Sequence, residues 1–236
     1  MISPALPAAV LWDMDGTLVD SEPYWIAEEF ALVESFGGQW SMEHAHHLVG
    51  SALLTGAAYI IENSPVTLTP EEVVARLVGG VAQRLRAEVP WRPGGHELLQ
   101  QVREAGIPCA LVTMSYRELA DILVESMGDD LVQVIVTGED VSDGKPHPEP
   151  YLRAAELLGV DPGDCIAIED SRTGALSSTA AGVPTVVIPH VVAVPQVPGA
   201  VHHDTLEALT PADLMALTAP LRGELQSSAG IARPTT

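Results

Sequence analysis

The sequence predicts a doubly wound α/β protein: a parallel sheet covered by helices, with one all-helical domain inserted into it. Three observations predict this. Five short runs are almost wholly apolar and do not alternate, helical patterns separate the later runs, and one long stretch holds helical patterns alone. Strands buried on both faces of a parallel sheet need continuous apolar runs, where a half-exposed strand would alternate.

Taken in order, the first run is Ala9–Trp12. From Ser21 to Pro93 only helical patterns follow, over Glu22–Phe36, Ser41–Leu48, Leu53–Glu62 and Pro70–Val89. Thr69 before Pro70, with Glu71 and Glu72 behind, is a helix start. Strand and helix then alternate. The helical patterns are Gly95–Ala105, Tyr116–Met127, Pro148–Leu158 and Ser171–Ala181, and the strand runs are Ile107–Val112, Val132–Val136, Cys165–Ile168 and Thr185–Ile188. Gly106, Gly128, Gly159 and Gly182 fall at or near helix ends, where C-caps favour glycine. Repeated strand–helix–strand units imply right-handed crossovers. The expected division is a core of residues 1–20 and 94–222, a helical insertion of 21–93 and a polar, flexible tail of 223–236.

The 236 residues carry 32 acidic against 11 basic side chains, a formal charge of −21. A nucleic-acid or anionic-membrane partner would be repelled. No apolar run reaches the roughly 20 residues that cross a bilayer, and Met1–Val10 has no basic segment of a signal peptide. A cytoplasmic location is expected. Cys109 and Cys165 lie in apolar runs and read as buried, reduced thiols. Ten of the 11 cations are arginine, and Lys145 is the single lysine.

Ligands of open parallel sheets bind at the carboxyl ends of the strands. There the chain gathers Asp13 and Asp15 after the first strand, Thr113 after the second, Lys145 on the loop after the third, and Glu169 and Asp170 after the fourth. Alternate residues of an extended chain face one side, so Asp13 and Asp15 can serve one ligand, and Gly16 permits a sharp turn. One carboxylate can attack phosphorus while the other moves protons. Main-chain N–H groups of the Met14–Asp15 turn can donate to a phosphoryl group. Gly138–Lys145 is not a P-loop: it is one residue too long, and Pro146 stands where Ser or Thr is needed. Asp140 and Asp143 read as loop carboxylates, and His44, His46 and His47 as an exposed helix face in preference to a metal site.

With those residues in view, the chain resembles the haloacid dehalogenase superfamily, in its phosphatase branch, from about Val10 to Leu217. The motifs are Asp13-x-Asp15-Gly16-Thr17, Thr113, Gly144-Lys145-Pro146-x-Pro148-Glu149 and Glu169-Asp170-Ser171-x-x-Gly174, in that order. The resemblance implies a Rossmann-like core with a helical cap, Asp13 as nucleophile and Asp15 as general acid/base. It implies that Thr113 and Lys145 hold phosphoryl oxygens, with Met14 and Met114 in the same phosphate-binding set. Mg²⁺ is implied as cofactor, on Asp13, the main-chain carbonyl of Asp15, and Asp170, with Glu169 as a further or supporting ligand. A small-molecule phosphate ester is the expected partner.

Several readings compete within that resemblance. Asp15 argues against carbon–halogen chemistry, because the dehalogenases lack it. The one lysine lies in the core, which argues against the phosphonate hydrolases and their cap lysine. A sugar phosphomutase must grip a second phosphate, yet no Lys or Arg precedes Arg76, and Trp25 and Gly50 stand where hexose phosphomutases place His and Arg. A non-catalytic phospho-ligand sensor would not need the full acid/base and metal set. Phosphatase is the expectation.

Overall fold

A computed structural model describes residues 6–49, 52–128 and 130–229, and the side chains among them as far as Leu221. In chain order the elements are β1 (Val10–Trp12), α1 (Glu22–Ser35), α2 (Met42–Leu48), α3 (Leu53–Glu62), α4 (Pro70–Ala87), α5 (Gly95–Glu104), β2 (Cys109–Val112), α6 (Arg117–Met127), β3 (Val134–Val136), α7 (Glu149–Leu158), β4 (Ile166–Glu169), α8 (Arg172–Ala180), β5 (Thr185–Val187), β6 (Ala200–His202) and α9 (Pro211–Ala229). The chain divides into two compact units, residues 20–90 and the remainder.

The larger unit is built on one parallel sheet of order β3-β2-β1-β4-β5-β6. Every strand of the central four is short and largely apolar, and both of its faces are buried. Leu11, Ala110, Val112 and Ala167 pack with Tyr151 and Ala154 of α7. The alternate residues Val10, Trp12, Leu111 and Ile168 are equally buried and point to the opposite face. That two-sided burial is why the runs show no alternation in sequence. From β1 the connections lead first toward β2 and β3, then back across to β4 and β5. The β1/β4 crevice is therefore the switch point where such sheets bind ligands.

Two elements are absent from the sequence reading. β6 has only three half-buried residues, too few for a period to show. α9 runs through Pro220 and beyond Arg222 to Ala229, over part of the segment expected to be a tail. Leu221, Glu224, Leu225, Gln226 and Ala229 are helix formers, and polarity alone does not separate a solvated helix from a loose end. Residues 230–236 lie outside the described residues.

The helical unit packs α1 and α3 on α4 around Leu32, Val33, Ala57, Ile60, Val73, Leu77, Val81 and Leu85. The start expected at Thr69 is a full capping box: Glu72 N–H donates to Thr69 Oγ1 at 3.3 Å and Thr69 N–H to Glu72 Oε2 at 2.8 Å. Among the described residues, no helix is long and apolar enough to cross a membrane.

Candidate active site

Asp13 follows β1 directly, and its N–H extends the ladder by donating to the Ile168 carbonyl at 3.0 Å. Its backbone is thus fixed to β4 at the crevice. The residue is 7% exposed. Thr17 Oγ1 donates to Oδ2 at 2.9 Å and Lys145 Nζ to Oδ1 at 2.6 Å. The chain then folds back, with the N–H groups of Leu18 and Val19 converging on the Met14 carbonyl at 2.9 and 3.1 Å. Gly16 sits at φ +83°, and a Cβ there would collide with the Asp170 carboxylate, so glycine is required twice over. Arg92 Nη1 donates to the Gly16 carbonyl.

Lys145 reaches this carboxylate from the loop after β3. Its ammonium donates to Asp13 Oδ1 and Glu169 Oε1, each at 2.6 Å, and to the Val112 carbonyl at 2.9 Å. Burial alone would strip its proton, but Asp13 and Glu169 outweigh burial and hold the pKa above the usual lysine range. The loop is itself tied down. Glu149 accepts the N–H groups of Ser142 and Asp143, both at 2.9 Å, the Met114 sulfur accepts the Lys145 N–H at 3.3 Å, and Ser177 Oγ donates to the His147 carbonyl at 2.5 Å.

Glu169 is fully buried at the end of β4. Besides Lys145 it accepts from Tyr151 Oη at 2.5 Å on Oε1 and from Ser171 Oγ at 3.3 Å on Oε2. Gly174 leaves the room for this carboxylate, since a Cβ there would overlap it. Burial and the Asp13 charge raise the Glu169 pKa, and Lys145 opposes them.

Asp15 points toward the end of β2. Its Oδ2 accepts from Ser115 Oγ at 2.6 Å and, at a longer 3.4 Å, from Thr113 Oγ1. Thr113 is buried, and its hydroxyl oxygen accepts the Ser115 N–H at 3.0 Å. Met14 is fully buried, whereas Met114 is 36% exposed beside the lysine loop.

Asp13, Glu169 and Asp170 each bring a carboxylate oxygen within 4.8 Å of the others. Burial, then the charges of Asp13 and Glu169, push the Asp170 pKa up to about 8, against the pull of Lys145. An all-oxygen donor set with surplus negative charge fits a hard divalent cation. A second group, Asp143, His147 and Glu149, is as close. However, Glu149 is engaged by the loop N–H groups, and His147 Nδ1 accepts the Glu149 N–H at 3.3 Å.

Elsewhere, both cysteines are buried as expected and neither is in a disulfide among the described residues, and burial pushes Cys109 up to about 12. Asp140 is no free loop carboxylate: it accepts from Thr137 N–H and Oγ1, both at 2.8 Å, and from Arg117 Nη2 at 2.6 Å. In the helical unit His44 stacks on Trp40 and His47 on Tyr59, with centroids 4.5 and 4.4 Å apart. These rings pack α2 on α3, and no metal-binding group includes them among the described residues. Gly50 and Ser51 lie outside the described residues.

Sequence reasoning missed Ser115, Tyr151, Arg92 and the loop-closing part of Glu149. Tyr151 on an amphipathic helix reads as core, which it also is, and only the neighbouring Pro148-Glu149 motif hinted at its position.

A sequence model of the haloacid dehalogenase-like hydrolase family matches residues 10–188, spanning every residue of this site. The chain belongs to that family. Among its relatives is hexitol phosphatase A of Escherichia coli, 33% identical over 78% of this chain and 81% of that protein. Another is the phosphorylated carbohydrates phosphatase of Thermotoga maritima, 29% identical over 74% and 82%. CbbY of Rhodobacter sphaeroides, solved in complex with phosphate, superposes with a TM-score of 0.79 at 24% identity, over 89% of this chain and 99% of that one. That likeness speaks for the fold. Like the two named phosphatases, this haloacid dehalogenase-like chain is a phosphatase, and its helical unit is inserted between β1 and β2.

Proposed function

We propose that the chain hydrolyses a small phosphate monoester, of the sugar-phosphate or hexitol-phosphate class, through an aspartyl-phosphate on Asp13 with Mg²⁺ as cofactor. The observation that carries this reading is the 2.6 Å contact between Asp13 and the only lysine of the chain. A cation held there fixes the carboxylate in one orientation and offsets part of the negative charge that an anionic ester meets, the rest falling to the metal.

An Asp13 oxygen attacks phosphorus, the ester P–O bond breaks, and Asp15 gives its proton to the departing oxygen. Water then attacks the aspartyl-phosphate, Asp15 takes a proton from it, and phosphate leaves. Lys145, Thr113 and the main chain at Met14 and Met114 hold the phosphoryl oxygens. Asp13, the Asp15 carbonyl and Asp170 would hold Mg²⁺, with Glu169 beside them orienting Lys145. When bound, Mg²⁺ neutralises phosphoryl charge. The substrate class rests on the relatives that act on hexitol and carbohydrate phosphates.

The test is phosphate release from hexitol, hexose and glycolate phosphates with Mg²⁺. Asp13→Asn should abolish turnover and acid-stable ³²P labelling, because an amide is a poor nucleophile. Normal turnover by that variant, with deamidation excluded, refutes the mechanism. Primer-dependent conversion of β-glucose 1-phosphate to glucose 6-phosphate, faster than phosphate release, refutes hydrolysis in favour of mutase activity.

A further inference from the structure

Resting on the reading of Asp15 as acid/base, we propose that Ser115 is its positioning residue. Asp15 stands in the turn beyond β1, past the last bond to β4 and bridged locally to Val19, and its carboxylate reaches toward the end of β2. The Ser115 hydroxyl, 100 residues away in sequence, donates to Oδ2 at 2.6 Å, much closer than the 3.4 Å of Thr113. A donor fixed on one oxygen sets the plane of the carboxyl group, and with it the direction the other oxygen faces.

Ser115 is itself held from both sides. Its N–H donates to Thr113 Oγ1 at 3.0 Å, at the rigid end of β2. Two residues on, Arg117 N–H donates to Glu139 at 2.7 Å, and the Arg117 guanidinium bonds Asp140 at 2.6 Å and the Ile135 carbonyl at 3.3 Å. The start of α6 is thereby pinned to the segment around β3, and the serine has little freedom to move from Asp15. During each proton transfer Ser115 keeps its own proton: the exchange is between Asp15 and the leaving oxygen, then between water and Asp15.

The consequence separates substrates by their leaving group. An alkyl oxygen needs a proton as the P–O bond breaks, whereas 4-nitrophenolate leaves without one. Because kcat/KM reads the first transfer alone, Ser115→Ala should lower it about tenfold or more for glucitol 6-phosphate, leaving 4-nitrophenyl phosphate within about twofold. Ser115→Thr should restore the alkyl substrate, and the equally shaped Ser115→Val should not. Should S115A fail to fold, the T/V pair gives the same reading at constant shape. Equal effects on both substrates, or valine matching threonine, overturn the proposal. A wild-type chain that releases phosphate from neither ester fails the phosphatase reading itself, and this proposal with it.

Discussion

Replacing Lys145 with methionine removes one positive charge of similar length from between two buried carboxylates. Its side chain is 7% exposed, that of Asp13 10% and that of Glu169 0%. Removing one partner of a buried ion pair costs about 3–5 kcal/mol, since the other charge stays desolvated. Here two charges are left, but Glu169 already binds a proton more readily than an ordinary glutamate and takes one in the variant. The deficit should therefore be largest near pH 8. Toward pH 6 it should shrink by up to about 1.4 kcal/mol per pH unit, as a proton replaces the ammonium. In melting temperature about 3–5 kcal/mol corresponds to about 6–20 °C for a chain of this size. Metal-free urea and thermal unfolding of both proteins at pH 8 and pH 6, with phosphate release measured in parallel, provide the assay. A variant as stable as wild type at both pH values, or a deficit that grows as pH falls, refutes the argument. Lys145→Arg should also lose activity, because a planar fork does not fit a point contact with three acceptors.

Asp15→Asn should cut turnover by at least about a hundredfold with Mg²⁺ affinity little changed in calorimetry, since only its main chain is assigned to the metal. Because Asp170 binds a proton up to about pH 8 in the metal-free chain, Mg²⁺ must displace that proton. Apparent affinity should fall about tenfold per unit as pH drops below about 8, with close to one proton released at pH 6 in buffers of differing ionisation enthalpy. In the helical unit, burial raises Glu29 to about 7 despite the 3.1 Å bond from Trp40 Nε1, with Glu22 adding to the shift. A raised carboxyl pKa stabilises below the usual glutamate value, and that contribution is lost as pH rises through 7. Glu29→Gln should thus gain up to about 3 kcal/mol at pH 8 and nothing near pH 4, read by urea titration.

The parts legible in the sequence were those where a physical requirement acts on every residue of a short segment. Two-sided burial made Val10–Trp12, Cys109–Val112 and Ile166–Ile168 apolar throughout, so the strands and their carboxyl ends could be found. From those ends alone came the gathering of Asp13, Asp15, Thr113, Lys145, Glu169 and Asp170. β6 was hidden because three half-buried residues have no period, and α9 because Pro220 and a polar surface mask a helix. Ser115 and Tyr151 were hidden for a different reason: each acts through one hydroxyl on a distant carboxylate. A serine in a loop and a tyrosine in a helix carry no pattern that announces a partner.

The acidity of the chain and the position of its one lysine are parts of the same electrostatic arrangement. Four carboxylates, those of Asp13, Asp15, Glu169 and Asp170, gather around the β1/β4 crevice, and Lys145 is the ammonium bonded within that set. Such a site would repel a phosphate dianion even without the −21 of the whole chain. The surplus pushes the Asp170 pKa up to about 8, which favours a proton there near neutral pH. A divalent cation bound there would replace that proton with two charges and turn a repulsive rim into one that attracts phosphate. Lys145 cannot make that change alone, because Asp13 and Glu169 already consume its charge. What it can do is hold the Asp13 carboxylate in one orientation, and Glu169 with Tyr151 behind it holds Lys145 in turn. On this reading the lysine fixes geometry and the metal sets the sign of the field, so removing either should abolish turnover for a different physical reason.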